Sequence, residues 1–182
     1  MEKLTCIQVD VQNTNSLQEA LSVFEDQEEQ VTLHGWRCRF CQQQAHPSKA
    51  HVITKCPKIL FVQLKRFSTS FEPGVDVEAR QEYITHRVQC EEYVQLREGR
   101  RIVNSDGAET LQTFPVHYRQ VARVYHQGSS LTIGHYFAIC RHTHPDGNWW
   151  YYNDTMRRLE RCEDDARDAA HRVYLCLYER MD

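Results

Sequence analysis

Hydrophobic and polar positions alternate in short runs along most of the chain, and one stretch has a helical period. In NSLQEALSVFEDQEEQ, apolar residues recur at i, i+3, i+4 and i+7 from Leu17 to Phe24. Ser16 and Glu19, just before and within that stretch, have the spacing of a capping box. The pattern predicts one amphipathic helix.

The other periodic runs have the alternation and the β-branched or aromatic content of strands. They are residues 1–10, the run after Pro57 in HVITKCPKILFVQLKRF, and the segments VHYRQVARVYH, HYFAICRH, NWWYYND and HRVYLCLYER. Between about Ser68 and Phe114, apolar runs alternate with turn signals, which predicts hairpins and loops, with LREGRR (96–101) as a solvated hairpin tip. The C-terminal half is therefore predicted to be mostly β.

Composition narrows the class of protein. The chain has 182 residues, 41% of them apolar, and no repeat or linker, so it fits one globular domain or a large part of one. A net charge of -3 gives no case for a nucleic-acid or membrane binder, since both need clustered positive charge. Without a membrane span or signal peptide, the chain is predicted to be cytoplasmic or nuclear. Its eight cysteines are then expected to be thiols, metal ligands or core residues rather than disulfides.

One histidine stands at the start of an apolar run, in IGHYFAIC. The turn signal THPDGN folds that run against NWWYYND, which brings His135 close to Asn153 or Asp154. A side-chain oxygen from either residue could bind one ring nitrogen and leave the other free as a base. The alternative is a histidine that caps a strand end beside a turn-forming Asn-Asp pair. The pattern alone leaves both interpretations open.

Segments spread over nearly the whole chain resemble the ubiquitin-specific proteases, which are papain-like thiol hydrolases that release ubiquitin. They are SLQEALSVFEDQE (the helix leading into the fingers), WRCRFC (the second CxxC pair), CPKILFVQLKRF, VYHQGSSLTIGHYFAICR (the His box), WWYYND (the box that orients the histidine) and VYLCLYER (the closing strand). The resemblance implies an α+β, papain-like fold.

The resemblance also implies roles for individual residues. His135 would be the general base, Asn153 its orienting partner, and Asp154 a polar support for the oxyanion region or the histidine. Gly134 and Tyr136 would line the cleft for the ubiquitin tail, under a mobile loop formed by residues 127–133. The implied partners are ubiquitin and ubiquitinated proteins.

The sequence departs from the family pattern in three places. The Cys box with the nucleophile and the first CxxC pair are absent, and both would lie upstream of Met1. The chain therefore resembles the C-terminal part of the catalytic domain, with residues 1–67 as fingers and the beginning of the palm, residues 68–182 as palm, and the thumb missing. Phe137 replaces a residue that is commonly smaller or polar, which would either narrow the cleft or have no effect.

No cysteine in the chain has the features of a nucleophile, which needs a lowered pKa and access to substrate. Cys140 and Cys176 lie in apolar strand runs and are predicted to be core residues, and Cys6 lies in the opening strand. Cys38 and Cys41 have the spacing of half a structural zinc site, which needs four ligands. His34, His46 or Cys56 could supply others, although no spacing favours any of them.

The predicted function is deubiquitination, the thiol-dependent hydrolysis of the bond after ubiquitin's last glycine. The chain itself lacks the nucleophile, so it is predicted to be inactive alone. The alternatives are a non-catalytic ubiquitin-binding pseudoprotease or scaffold module, and a truncated gene product with no stable fold.

Overall fold

The computed structural model describes residues 4–30, 37–39, 41–43, 48–70, 80–128, 133–142, 148–160 and 172–181. Its elements, in chain order, are β1 (Ile7–Asp10), α1 (Leu17–Asp26), β2 (Glu28–Gln30), β3 (Ser48–Ala50), β4 (Ile59–Lys65), β5 (Phe67–Ser70), β6 (Arg80–Tyr83), β7 (Tyr93–Val103), β8 (Glu109–Gln127), β9 (His135–Arg141), β10 (Trp149–Asn153), β11 (Met156–Glu160) and β12 (Val173–Arg180). No helix in these ranges has both the length and the hydropathy needed to cross a bilayer.

The helix α1 begins at the predicted capping box. The Ser16 hydroxyl accepts a hydrogen bond from the Glu19 backbone at 3.1 Å, and the Glu19 carboxylate accepts one from the Asn15 backbone at 2.9 Å. The buried face carries Leu17, Ala20 and Leu21. The prediction of one amphipathic helix at this place is therefore confirmed for the described residues.

The main sheet contains eight of the described strands, in the order β1-β4-β12-β8-β9-β10-β11, with β7 also paired to β8. The strand β1 runs parallel to β4, and the other neighbours are antiparallel. The predicted α+β class with a mostly antiparallel C-terminal half is confirmed. Because β1 and β4 share this sheet with β8 and β12, strand pairing shows no break at residue 67, and the division into fingers and palm stays a prediction.

The strand β8 is the central strand of this sheet. Its first half pairs with β7, and its second half lies between β12 and β9. The strands β2 with β3 and β5 with β6 form separate two-stranded sheets. The position of β9, and with it the candidate site, is thus set by its register on the end of β8, where Gln127 is opposite His135.

The segment LREGRR was wrongly predicted as a hairpin tip. It lies inside β7, where Leu96 is fully buried and Glu98 is only 6% exposed. The Glu98 carboxylate accepts hydrogen bonds from the Cys56 backbone at 2.8 Å and from Arg100. The buried carboxylate is satisfied by a partner 42 residues away. The local charge pattern therefore wrongly predicted that Glu98 is exposed to solvent. The turn itself is at 104–108, where Gly107 has a φ of +82°.

The strand β11 was not predicted either. It pairs with β10 at the edge of the main sheet, and Met156 and Leu159 are about half exposed. A short edge strand with adjacent arginines has no buried face to impose an alternating pattern. Its existence depends on pairing with β10 rather than on its own composition.

A buried arginine joins three separate segments below the end of β4. The Arg66 side chain is fully buried, and its Nε donates to the Val173 carbonyl at 3.1 Å. Its NH1 donates to the carbonyls of Ile84 at 3.3 Å and His86 at 2.7 Å. Burial lowers the pKa of the guanidinium from its usual value. These bonds fix the exit from β4 against β12 and the segment after β6.

We expect the substitution Arg66→Met to destabilise the fold by about 3 kcal/mol or more, because it leaves buried carbonyls without a donor. The matched control is Lys65→Met, since Lys65 is the exposed residue immediately before Arg66 and should change stability by less than about 0.5 kcal/mol. Urea unfolding of both variants measures the difference. Equal effects of the two substitutions would contradict a special role of Arg66.

Candidate active site

His135 lies at the start of β9, half exposed, with its side chain 46% accessible. The strands β9 and β10 pair antiparallel, with Ala138 opposite Tyr152. This confirms the predicted hairpin, although its turn (143–147) is outside the described residues. The register brings the end of β10 beside the start of β9.

The contact that defines the site joins His135 to Asn153. The Nε2 atom of the imidazole is hydrogen-bonded to the Oδ1 atom of the Asn153 side chain. An amide oxygen only accepts, so Nε2 carries the proton in this contact, and in the neutral ring the lone pair is then on Nδ1. Nδ1 has no hydrogen-bond partner among the residues that the structure describes. This is the tautomer that a general base acting through Nδ1 requires.

Asp154 lies on the same side of the ring. Its Oδ2 is 3.9 Å from His135 Nε2, and its side chain is 78% exposed. Asp154 begins the turn between β10 and β11 with a φ of +50°, a conformation that aspartate tolerates better than most residues. The carboxylate is therefore near the ring without a hydrogen bond to it, and its role as a polar support stays a prediction.

A residue that the sequence did not single out orients the amide. The Asn153 Nδ2 donates to the Tyr151 hydroxyl at 2.9 Å, which turns Oδ1 towards His135. The spacing could have indicated this role, because residues i and i+2 of a strand share a face.

Phe137 supports Tyr151 from the core side of β9. Its ring is stacked on Tyr125, with centroids 4.8 Å apart and 4° between the planes, and lies 5.4 Å from the Tyr151 ring. Phe137 therefore points away from the face that carries Tyr136. The ring fills the layer beneath Tyr151, and its effect on the cleft stays a prediction.

The predicted substrate-binding residues flank His135. Tyr136 is 47% exposed, and its ring lies 4.7 Å from that of His126 and 5.8 Å from that of Tyr174. Gly134 is exposed and carries no side chain beside the imidazole. The structure therefore places both residues beside the candidate base, while their role in substrate binding stays a prediction.

Five of the seven described cysteines lack the features of a nucleophile for His135. Burial raises the pKa of Cys6, Cys56, Cys140 and Cys176, which is opposite to what a nucleophile needs. The hydrogen bond from Cys176 lowers the pKa of Cys90, but that thiol is buried in the core. The seven cysteines in the described ranges form no disulfide with one another; Cys162 lies outside those ranges.

Cys38 and Cys41 lie at a tight turn. The Gln42 backbone donates to the Cys38 carbonyl at 2.9 Å, and Gln42 has a φ of +59°. Within the described part of the chain, no group of three or more potential metal ligands is present. Of the other proposed ligands, Cys56 is buried in the core, and His34 and His46 lie outside the described residues. Two thiols do not complete a tetrahedral zinc site, so zinc binding stays a prediction.

A known protein family matches nearly the whole chain. The family model described as ubiquitin carboxyl-terminal hydrolase matches residues 3–178. The chain belongs to this family. The resemblance to ubiquitin-specific proteases is thereby confirmed, and with it the papain-like fold.

Members of the ubiquitin carboxyl-terminal hydrolase family align along most of the chain. Ubiquitin carboxyl-terminal hydrolase 10 of Saccharomyces cerevisiae is 26% identical over 149 residues, covering 81% of this chain and 16% of the relative. Ubiquitin carboxyl-terminal hydrolase 3 of Homo sapiens is 27% identical over 163 residues, covering 90% of this chain and 28% of the relative. The chain therefore spans less than a third of these relatives.

Solved structures of the family share the fold. The Ubp8/Sgf11/Sus1/Sgf73 deubiquitinating module of SAGA bound to ubiquitin aldehyde matches with a TM-score of 0.76 and 20% identity, over 98% of this chain and 36% of that chain. A variant of the same module bound to monoubiquitin matches with a TM-score of 0.73 and 22% identity, over the same shares of the two chains. The strands that carry His135 and Asn153 thus belong to a known fold of ubiquitin hydrolases.

We expect Tyr151→Phe to lower the ratio of the Nε2-protonated to the Nδ1-protonated form of His135 by roughly fivefold, because the lost hydrogen bond is worth about 1 kcal/mol and the Asn153 amide can then turn. Imidazole ¹⁵N chemical shifts measure that ratio. The control is Tyr152→Phe, since Tyr152 lies next to Tyr151 on the opposite face. A shift of the same size in both variants would mean that the Tyr151 hydroxyl does not orient Asn153.

Proposed function

We propose that this chain is the histidine-bearing part of a deubiquitinase that cleaves the (iso)peptide bond after the last glycine of ubiquitin. The observation that carries the proposal is the array of Tyr151, Asn153 and His135 in a member of the ubiquitin carboxyl-terminal hydrolase family. The array leaves a lone pair on His135 Nδ1 facing away from Asn153. The likeness to a module bound to ubiquitin aldehyde supports ubiquitin as the ligand.

The proposed reaction uses a cysteine thiol outside the described residues. His135 Nδ1 accepts the thiol proton, and the thiolate attacks the carbonyl carbon of the ubiquitin C-terminal glycine. The imidazolium then gives that proton to the leaving amine, and a thioester remains. His135 next takes a proton from water, and the hydroxide attacks the thioester carbon. The carbon–sulfur bond breaks, the imidazolium returns its proton to the sulfur, and ubiquitin leaves as a carboxylate whose acid proton passes to solvent. Asn153 holds the ring throughout, and Asp154 stabilises the imidazolium.

The residues around His135 fit an extended, glycine-rich tail. Gly134 is exposed immediately before the base, and the half-exposed Tyr136 offers an aromatic edge immediately after it. Gly134 and Tyr136 are accordingly proposed to contact the ubiquitin tail.

A second candidate function is non-catalytic binding of ubiquitin. It is favoured by one observation on the described thiols. Burial raises the pKa of Cys140 and Cys176, and Cys90, whose pKa is lowered, is buried in the core, so none of these three can act as the nucleophile that His135 would activate. The same surface would then hold ubiquitin without turnover. The two functions differ in whether a covalent thioester forms.

The first experiment treats native lysate with a ubiquitin probe that carries a thiol-reactive C-terminal group, and detects this chain with an antibody against β12. An adduct heavier than ubiquitin plus the 21.6 kDa chain supports the hydrolase, because the reacting thiol then belongs to a longer polypeptide. A protein that runs at its calculated mass without an adduct overturns the hydrolase and leaves the binding function.

In the native polypeptide that contains this chain, we expect His135→Gln or Asn153→Ala to lower kcat by about 10²-fold or more while ubiquitin affinity changes little, since both act on proton transfer. Hydrolysis of a fluorogenic ubiquitin substrate and calorimetric titration with ubiquitin measure the two effects. The control is His117→Gln, an exposed histidine on β8. A parallel loss of affinity and rate would assign His135 a structural role instead.

A further inference from the structure

A second histidine lies directly behind the candidate base. His126 is in β8, opposite Tyr136 of β9, and is only 1% exposed. Neither of its ring nitrogens has a hydrogen-bond partner among the described residues. A buried imidazole without partners costs free energy, so the position is not explained by hydrogen bonding. Its ring must contribute through its shape and its contacts.

Aromatic side chains surround this ring. The nearest is Tyr136, 4.7 Å away between centroids, next to the candidate base in sequence. The others come from three different segments of the chain: Phe67 at 5.8 Å, Tyr174 at 6.3 Å and Tyr83 at 6.4 Å. The His126 ring is therefore packed on several sides, and its contact with Tyr136 restricts the movement of Tyr136.

The His126 ring also lies against Gly134. A Cβ on Gly134 would overlap His126 Nε2 and lie 2.7 Å from Cε1 and 2.9 Å from Cδ2 of the same ring. The backbone of Gly134 is outside the left-handed region, so any residue could adopt its φ. Position 134 thus requires glycine because the His126 ring occupies the space of a side chain.

We propose that His126 is a positioning residue for His135. Its ring is in contact with Gly134 and Tyr136, the residues immediately before and after His135, and so restricts the backbone that aims the His135 imidazole at Asn153. The inference rests on the proposed function, in which that aim selects the tautomer of the base. His126 itself does not touch the reacting atoms.

The proposal makes positions 126 and 134 interdependent. The substitution His126→Ala opens a void behind Gly134, and Gly134→Ala forces its methyl group into the ring. In the double variant, the methyl group of Ala at position 134 enters the space that the imidazole vacated. Each single change should therefore disturb His135, and the two together should disturb it less than either alone.

The test uses the 182-residue chain labelled with ¹⁵N-histidine. Imidazole ¹⁵N spectra report the tautomer of His135, whose signal is assigned with His135→Gln. We expect each single variant to lower the ratio of the Nε2-protonated to the Nδ1-protonated form by about fivefold or more, the effect of one lost hydrogen bond. The double variant should recover most of that ratio. The control is His117→Ala, which removes an exposed histidine of the same strand and should leave the ratio unchanged.

Three results would overturn the proposal: folded single variants with an unchanged His135 signal, a double variant whose loss is the sum of the two single losses, or a change of equal size in His117→Ala. If a single variant does not melt cooperatively, the double variant decides. Recovery of cooperative melting supports the coupling, and continued unfolding refutes it. None of these measurements uses ubiquitin. If the ubiquitin probe forms no adduct but positions 126 and 134 are still coupled, the hydrolase function is refuted and the positioning role of His126 is not.

Discussion

The structure depends on one buried guanidinium that satisfies carbonyls from otherwise separate parts of the chain. Arg66 bonds to Val173 at the start of β12 and to Ile84 and His86 after β6. Its neighbour Phe67 then lies against the His126 ring. A charge in this position is tolerated only because its donors are satisfied, so the segments that supply the acceptors are held in place with it.

Two layers meet at the candidate base. On the core face, Phe137 lies beneath Tyr151, which orients Asn153. On the opposite face, the ring of His126 lies against Tyr136 and behind Gly134, next to the base. The first layer selects which ring nitrogen carries the proton, and the second limits where the backbone can move. Both layers use neighbouring strands, whose spacing is fixed by the ladder of backbone hydrogen bonds.

The parts of the fold that could be predicted are those whose signals are local. The capping box and apolar face of α1, and the pairing of β9 with β10, each involve residues close in sequence. The family motifs placed His135 and Asn153 in one site. The segment LREGRR and the strand β11 were missed because Glu98 is satisfied by Cys56, 42 residues away, and because an edge strand is defined by its neighbour.

The sequence by itself indicated the family, the helix α1, the strands with a buried face, and a histidine close to Asn153 or Asp154 across a hairpin. Tertiary structure decided the roles of side chains that look like ordinary core residues. Tyr151 becomes an orienting residue, and His126 excludes any side chain from position 134, only when β8, β9 and β10 lie side by side. The physical reason is that hydrogen-bond geometry and excluded volume depend on contacts between strands, which no local pattern of residues records.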